Sequence, residues 1–255
     1  MSADMVLEAL DDAADAVVGA LGLVSDWGPS GRRATQYHSD LAADEAALAV
    51  LERARFGVVS EESGVTRPEA PIWVALDPLD GSTNAHRGVP WYATSLCAVD
   101  GDGPLAAVVH NLVSGVRYRA VRGRGASRDG VAIATSGCTA VGDSLVTLSG
   151  WPSEHLGWGQ FRALGAAALD LCAVADGMLD GFVDCSRDAH GVWDYLGGLL
   201  VCREAGGVVH EAEGRELVVR AHDARRTPVA GATSGVADAL LVARQRLDGA
   251  HRSRG

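Results

Sequence analysis

The segment 72–84, with the sequence IWVALDPLDGSTN, constrains the fold of this chain more than any other stretch. Its apolar start predicts a buried strand, and the proline and glycine that follow predict a turn that holds Asp77 and Asp80 at the end of that strand. Two carboxylates on a rigid turn are the oxygen ligands that hard divalent cations such as Mg²⁺ prefer. The Gly-Ser-Thr sequence adds N–H and hydroxyl donors of the kind that bind phosphate oxygens. DPLDG alone would equally be an ordinary turn, but the full segment contains more chemistry than a turn requires.

Two other acidic positions stand beside apolar runs. Upstream, GVVSEESG places Glu61 and Glu62 after a strand-like run, and because successive strand side chains alternate, only one of them can face a shared site. Downstream, Asp194 stands at the start of the helix-like stretch VWDYLGGLLVCREA. Taken alone, the glutamates fit a solvated turn and Asp194 fits an acid that complements a helix dipole.

Composition excludes several classes of protein. The chain has 255 residues, of which 33 are acidic and 22 basic, and the resulting net charge of −11 argues against a nucleic-acid partner. All 22 basic residues are arginines, so the chain has no lysine for a Schiff base, for pyridoxal phosphate or for a Walker P-loop.

The cysteines and the chain start predict a cytoplasmic protein with no membrane contact. No CxxC pair occurs, which favours reduced, buried thiols over a disulfide scaffold or a zinc site. The five cysteines are Cys97, Cys138, Cys172, Cys185 and Cys202. The start of the chain is acidic where a secretory signal is basic, and no apolar stretch has the length of a membrane span.

The first half of the chain, 1–134, is predicted to be an α+β unit. Amphipathic helices are predicted at 5–21 and 44–55, on either side of a glycine- and arginine-containing surface loop at 27–39. From Phe56 onward, short β-type runs separated by turn residues predict a largely antiparallel sheet that carries most of the metal ligands.

The second half, 135–255, is predicted to be an α/β unit. It alternates strand-like runs with helix-like stretches, among them 161–177, and supplies Asp194 and a specificity loop. Since no long linker separates the halves, we expect them to pack intimately rather than form independent domains.

Three motifs, SEES, WVALDPLDGSTN and WDYLGGLLVCREAGG, occur in this order and together resemble the inositol monophosphatase family of Mg²⁺-dependent, lithium-sensitive phosphatases. The resemblance runs from the first helix to about Val209. It implies an α+β / α/β fold, a layered αβαβα sandwich of the inositol monophosphatase and fructose-1,6-bisphosphatase type. It also implies two or three Mg²⁺ ions, hydrolysis of a small-molecule phosphate ester and a homodimer.

The resemblance also implies a role for individual residues. The metal ligands would be Glu61, Asp77, the carbonyl of Leu79, Asp80 and Asp194. The phosphate would bind at Gly81, Ser82 and Thr83, and Glu61 and Ser82 would orient and deprotonate the attacking water. Asp44 would pair with Ser82, whereas Asp40 fits a helix-entry cap better. Ser82 stands where the family more usually has threonine and keeps the hydroxyl group.

The chain departs from the family pattern around the substrate. Gly197 and Gly198 replace two alanines and predict extra space against the site. The loop from Asp184 to Val192 has about three extra residues, and Asp184 stands where an acid binds substrate hydroxyls. Arg187 and His190 in this loop either bind a second phosphate or carboxylate, or are an ordinary surface arginine and an incidental histidine. In addition, Ala166 replaces a small hydroxyl residue.

These features favour a cyclitol or sugar phosphate as substrate, because the acidic Asp184 region suits a polyol. The alternatives are histidinol phosphate, a sugar bisphosphate and 3′-phosphoadenosine 5′-phosphate. A non-catalytic regulator that binds a phosphorylated metabolite would be expected to lack an acidic ligand, and none is missing here.

Overall fold

The computed structural model describes residues 1–33 and 35–252, so the expected loop 27–39 is described except at Ala34 and the expected second half except at 253–255. The helices are α1 (Ala3–Leu21), α2 (His38–Arg53), α3 (Ser82–Arg87), α4 (Ala167–Ala175), α5 (Val192–Glu204) and α6 (Ser234–Arg252). The strands are β1 (Gly57–Ser60), β2 (Gly64–Thr66), β3 (Trp73–Asp80), β4 (Ala93–Asp100), β5 (Gly103–Asn111), β6 (Arg117–Val121), β7 (Ala126–Arg128), β8 (Val131–Ala132), β9 (Leu145–Ser149), β10 (Gln160–Arg162), β11 (Gly181–Asp184), β12 (Val208–Glu211) and β13 (Pro228–Gly231). In the part of the chain that the structure describes, every helix is too short or too polar to cross a membrane.

The strands form two sheets. The first has eight strands in the order β2-β1-β3-β4-β5-β6-β7-β8, and only its β1–β3 pair is parallel. The second has five strands in the order β10-β9-β11-β13-β12, with β9 parallel to both of its neighbours and β13 antiparallel to both of its own. The expected largely antiparallel sheet of the first half is confirmed.

Helices and sheets alternate in five layers. Helices α1 and α2 cover one face of the first sheet, α4 and α5 lie between the two sheets, and α6 covers the outer face of the second. The expected αβαβα sandwich is therefore confirmed. The boundary near residue 135 stays a prediction, and α5 packs against strands of both sheets.

Strand β3 lies at the centre of this arrangement. All eight of its residues are buried, because helices cover both of its faces. Val74 and Leu76 pack toward α1 and α2, whereas Trp73 and Ala75 pack toward α4 and α5. The aspartates at the end of β3 are thus held by a strand with no solvent-exposed face.

Three boundaries differ from the sequence-based expectation. Helix α2 begins at His38, six residues before the expected start, because the carboxylate of Asp40 accepts the backbone N–H of Tyr37 in a capping box. The expected helix 161–177 is shorter, since Gln160–Arg162 pair with β9 and Gly165 adopts a left-handed conformation with φ of 87°. Sequence reasoning placed no element after about residue 211, where β13 and α6 lie.

The expectation that Gly197 and Gly198 open space against the site is wrong. A Cβ atom on Gly197 would lie 2.5 Å from the hydroxyl of Ser95 in β4. A Cβ atom on Gly198 would lie 2.7 Å from the carbonyl oxygen of Ala168 and 2.7 Å from the Cβ atom of Leu171, both in α4. The two glycines instead let α5 pack closely between the first sheet and α4.

We expect Gly198→Ala to lower the free energy of unfolding by about 1–3 kcal/mol, the usual cost of overpacking a core. Gly19→Ala is the matched control, because Gly19 lies in α1 and a Cβ atom there would meet no atom of another element within 4 Å. This control is expected to raise stability by about 0.5–1 kcal/mol through helix propensity. Urea denaturation measures both, and a shift of the same sign and size in the two variants would contradict the packing explanation.

Candidate active site

Three acidic side chains from both halves of the chain meet at one place. Glu61 directly follows β1, and its N–H donates to the carbonyl oxygen of Leu76 at 3.1 Å, which brings it beside Asp77 in the parallel neighbour β3. Asp194 lies in the first turn of α5. One carboxylate oxygen from each of Glu61, Asp77 and Asp194 lies within 4.8 Å of the others. We call these three residues the acidic cluster.

The loop 27–39 determines which glutamate joins the cluster. The carboxylate of Glu62 accepts hydrogen bonds from Arg33, at 3.0 Å, and from the side-chain amide of Gln36. Arg33 also donates to the carbonyl oxygen of Glu62 at 2.6 Å and to that of Glu61 at 3.4 Å. Glu62 therefore faces this loop while Glu61 faces the cluster, so the expectation that only one of them can face the site is confirmed.

A bulge in β3 separates the roles of its two aspartates. The pairing register with β4 shifts between Asp77 and Asp80, and the N–H of Leu79 donates to Asp77 Oδ1 at 3.0 Å. The two oxygens of Asp80 accept the first-turn N–H groups of α4, from Ala167 at 3.2 Å and from Ala168 at 2.7 Å. Asp80 therefore lies outside the acidic cluster and ties β3 to α4. The ligand roles of Leu79 and Asp80 stay predictions.

The turn after β3 is held in a shape that needs glycine. Gly81 has φ of 85°, and a Cβ atom there would lie 3.0 Å from the carbonyl oxygen of Trp91 and 3.2 Å from the Cβ atom of Ala166. Ser82 and Thr83 begin α3, and the first N–H groups of a helix have no partner within it. The side chain of Asn84 donates to the carbonyl oxygens of Trp91 and Leu164, both at 2.8 Å, and so holds α3 against the segment before α4.

Asp44 is buried, but its partner differs from the expected one. Its carboxylate accepts the hydroxyl of Ser60 at 2.5 Å, and within the described residues it forms no hydrogen bond with Ser82. The reason is that α2 packs on β1 and β3, so its inward face meets the end of β1. The expectation that Asp40 caps the helix is confirmed.

The loop after β11 presents a histidine rather than an acid to the site. Asp184 is fully buried, and its Oδ2 atom has no hydrogen-bond partner within the described residues. His190 bridges the two acids, with Nε2 lying 3.8 Å from Asp184 and Nδ1 lying 3.5 Å from Asp194. Arg187 is an exposed residue that pairs with Glu213 at 3.2 Å. A substrate hydroxyl cannot reach Asp184 while this loop keeps its conformation.

Burial and repulsion from neighbouring carboxylates raise the pKa values of Glu61, Asp77 and Asp80. Burial raises the pKa of Glu61 and Asp77 well above the ordinary values, and the neighbouring carboxylates raise both further. Burial likewise raises the pKa of Asp80, and Asp194 adds to it. Burial alone would lower the pKa of His190, but Asp194 and Asp184 outweigh it and raise the pKa to about 9. A set of crowded, buried carboxylate oxygens fits a hard divalent cation, which would balance their charge.

The family model of the inositol monophosphatase family matches residues 30–248 of this sequence. The chain belongs to the inositol monophosphatase family. It is accordingly a Mg²⁺-dependent hydrolase of phosphate monoesters. The match extends past Val209, where the resemblance found in the sequence ends, and includes β13 and most of α6.

Named relatives agree with this membership. A fructose-1,6-bisphosphatase/inositol-1-monophosphatase from Archaeoglobus fulgidus is 37% identical over 183 residues, covering 70% of this chain and 71% of the relative. An inositol-1-monophosphatase from Mesorhizobium japonicum is 34% identical over 198 residues, covering 69% of this chain and 71% of that relative. The solved inositol monophosphatase of Anabaena (Nostoc) superposes with a TM-score of 0.78 at 24% identity, covering 95% of this phosphatase and 96% of that chain, which shows a shared fold.

Sequence reasoning missed the residues that hold this phosphatase's site in shape. Ser60 binds Asp44, Arg33 and Gln36 hold Glu62, and His190, weighed as incidental, contacts Asp194. Ser60 is the first residue of the SEES motif but was given no role there, and Arg33, Gln36 and His190 lie outside the three motifs. The available signal was proximity along the chain to an acid already singled out, as Ser60 stands next to Glu61.

The raised pKa values predict that the acidic cluster destabilises the metal-free protein. The pKa of the Asp77 carboxyl is higher in the native protein than in the unfolded chain. The contribution of Asp77 to the free energy of unfolding is therefore fully present at low pH and is lost as the pH rises through the native pKa. In EDTA, Asp77→Asn is therefore expected to be more stable than the wild type by about 0.5–2 kcal/mol at pH 8, with a smaller difference at pH 5.

Urea denaturation at the two pH values, with and without Mg²⁺, measures this effect. Added Mg²⁺ should stabilise the wild type and leave Asp77→Asn unchanged. A wild type that is the more stable of the two in EDTA at pH 8 would contradict the explanation.

Proposed function

We propose that this phosphatase hydrolyses a cyclitol or sugar phosphate with Mg²⁺ held at the acidic cluster. The convergence of Glu61, Asp77 and Asp194 within 4.8 Å is the observation that carries the metal assignment. The substrate class is supported by the two relatives described above, whose names cite inositol 1-phosphate and fructose 1,6-bisphosphate phosphatase activities. Asp184 supports it less than its sequence position suggested, because the side chain is fully buried.

The metal would be held by five groups. They are the carboxylates of Glu61, Asp77, Asp80 and Asp194 and the carbonyl of Leu79. The family resemblance implies two or three ions at these residues. Bound Mg²⁺ supplies positive charge that offsets the negative charge developing on the phosphoryl and leaving oxygens.

The chain's own groups would bind the phosphate and handle the proton. N–H groups at Gly81, Ser82 and Thr83 would donate to the phosphoryl oxygens, at a helix start whose dipole favours an anion. The carboxylate of Glu61 would accept a proton from the attacking water, and the Ser82 hydroxyl would orient that water. Direct attack by water needs no phosphoenzyme. Asp44 would act indirectly, since its partner Ser60 is the residue before Glu61.

The leaving group would meet the loop after β11. Asp184 would influence it through His190, whose imidazole lies between Asp184 and Asp194. Arg187 would contact substrate only by giving up Glu213. A sugar bisphosphate is the second candidate. His190 beside the cluster favours it, because its imidazole can donate to a second phosphate group once Nε2 gives up its 3.0 Å contact with the hydroxyl of Ser149.

The two adjacent glutamates offer a matched test of the site. Glu61→Gln is expected to lower kcat/KM at least about 100-fold, because it removes both a ligand and a proton acceptor. Glu62→Gln removes a charge one residue away that faces Arg33 and should change kcat/KM less than about tenfold. Phosphate release in saturating Mg²⁺ measures both, and equal losses would contradict the assignment of Glu61.

A panel of phosphate esters tests the substrate class. Phosphate release should be fastest, by about tenfold or more in kcat/KM, for a cyclitol or sugar phosphate over histidinol phosphate and 3′-phosphoadenosine 5′-phosphate. A preference for sugar bisphosphates over monophosphates would favour the second candidate. Preference for the nucleotide or the amino alcohol would overturn the proposal, and tight ester binding without turnover would indicate a regulator.

Assembly and location complete the proposal. The family resemblance supports a homodimer, which sedimentation equilibrium can test. Five cysteines, of which Cys97, Cys172 and Cys202 are buried, are all free thiols in the structure and support a reducing, cytoplasmic location. Fractionation of the source cells can test it.

A further inference from the structure

One residue contacts both halves of the chain beside the acidic cluster. His222 lies between β12 and β13, and its Nε2 atom lies 2.9 Å from the carbonyl oxygen of Ser60. Its ring packs at a tilt against the indole of Trp193, with 4.7 Å between ring centroids and 32° between the ring planes. Ser60 immediately precedes Glu61, and Trp193 immediately precedes Asp194.

The chemistry of the two contacts is well defined. A carbonyl oxygen can only accept a hydrogen bond, so Nε2 of His222 carries the proton and donates it. Trp193 is buried, and the guanidinium of Arg225 lies 5.0 Å from its ring centroid, so its indole offers a fixed surface to the imidazole. His222 therefore joins the end of β1 to the start of α5 through two directional contacts.

These contacts matter because the cluster is assembled from separate elements. Glu61 belongs to the first sheet and Asp194 to a helix from the second half, and their charges repel each other. Helix α5 also packs on β3, β4 and β5 of the first sheet, and His222 adds a polar tie at the end of β1, where this repulsion acts. His222 itself is only half-buried, and the Trp193 ring that it contacts belongs to the hydrophobic core between the two sheets.

We propose that His222 is a positioning residue that sets the separation between Glu61 and Asp194 and thereby the Mg²⁺ affinity of the site. This inference rests on the metal site proposed above. His222 touches Ser60 and Trp193 and acts through them on the metal ligands.

Three substitutions separate the two contacts. His222→Phe keeps a ring against Trp193 and loses the hydrogen bond, His222→Gln keeps a donor and loses the ring, and His222→Ala loses both. The matched control is His210→Ala, because Nε2 of His210 also makes a 2.9 Å contact with an oxygen, in this case that of Asp238 on α6.

Calorimetric titration of the metal-free proteins with Mg²⁺, without substrate, gives the decisive measurement. We expect His222→Ala to bind Mg²⁺ about tenfold or more weakly, the size of effect that groups orienting metal ligands usually have, with the Phe and Gln variants between it and the wild type. His210→Ala should bind as the wild type does. At saturating Mg²⁺ the KM of the best ester should change less than about twofold, because His222 does not touch the phosphate-binding turn.

Two results would overturn the inference. The first is wild-type Mg²⁺ affinity in all three His222 variants, while the wild type itself binds the ion and Glu61→Gln does not. The second is a loss of Mg²⁺ affinity and of melting temperature in His210→Ala as large as the loss in His222→Ala, which would indicate a general effect on stability. A wild type that binds no Mg²⁺ would instead overturn the metal site, and the inference with it. The Phe and Gln variants keep side-chain volume, so the test stands even if His222→Ala does not fold.

Discussion

Repulsion among buried carboxylates is the constraint on which the rest of this structure depends. Glu61, Asp77 and Asp194 lie within 4.8 Å of one another, with Asp80 close enough to Asp194 for the two charges to interact. Glu61, Asp77 and Asp80 would each lower their free energy by moving to solvent or by taking up a proton, and their raised pKa values express that tendency. The fold has to hold the acids together in the metal-free state, and a divalent cation then balances the charge that the fold has concentrated.

The surrounding architecture meets this demand with rigid elements and polar ties. Strand β3 is buried on both faces, so Asp77 and Asp80 cannot turn outward. The first turn of α4 holds Asp80, and the side chain of Asn84 ties α3 to the segment before α4. These contacts join sequence-distant segments, so the turn after β3 takes its shape only when α3, β3 and α4 are packed together. The glycines of α5 contribute to the same end, because they let that helix pack closely beside β4 and α4.

The geometry of the site accounts for part of the chain's negative charge. A net charge of −11 is unfavourable for binding a phosphate ester, but some of the acidity forms the site itself. The absence of lysine is compatible with chemistry in which positive charge comes from metal ions. Arginine serves other purposes near the site: Arg33 orients Glu62 away from the cluster, and Arg244 donates to the carbonyl oxygens of Asp184 and Ser186 at the base of the loop.

The sequence by itself predicted most of the helices and strands, because hydrophobic periodicity and turn residues are local signals. The three ordered motifs carried the resemblance to the family, and that resemblance implied the layered fold and the acids of the site. The sequence also showed that one of the two adjacent glutamates must face away from the site. The family resemblance named Glu61 as the one that faces the site. Only the tertiary structure showed that Arg33 and Gln36 hold Glu62 away from it, that Asp44 pairs with Ser60, that Asp184 is buried behind His190 and that the α5 glycines serve packing. Those outcomes depend on contacts between residues far apart in the chain, such as His222 with Ser60, and a contact of this kind leaves no pattern in the residues on either side of it.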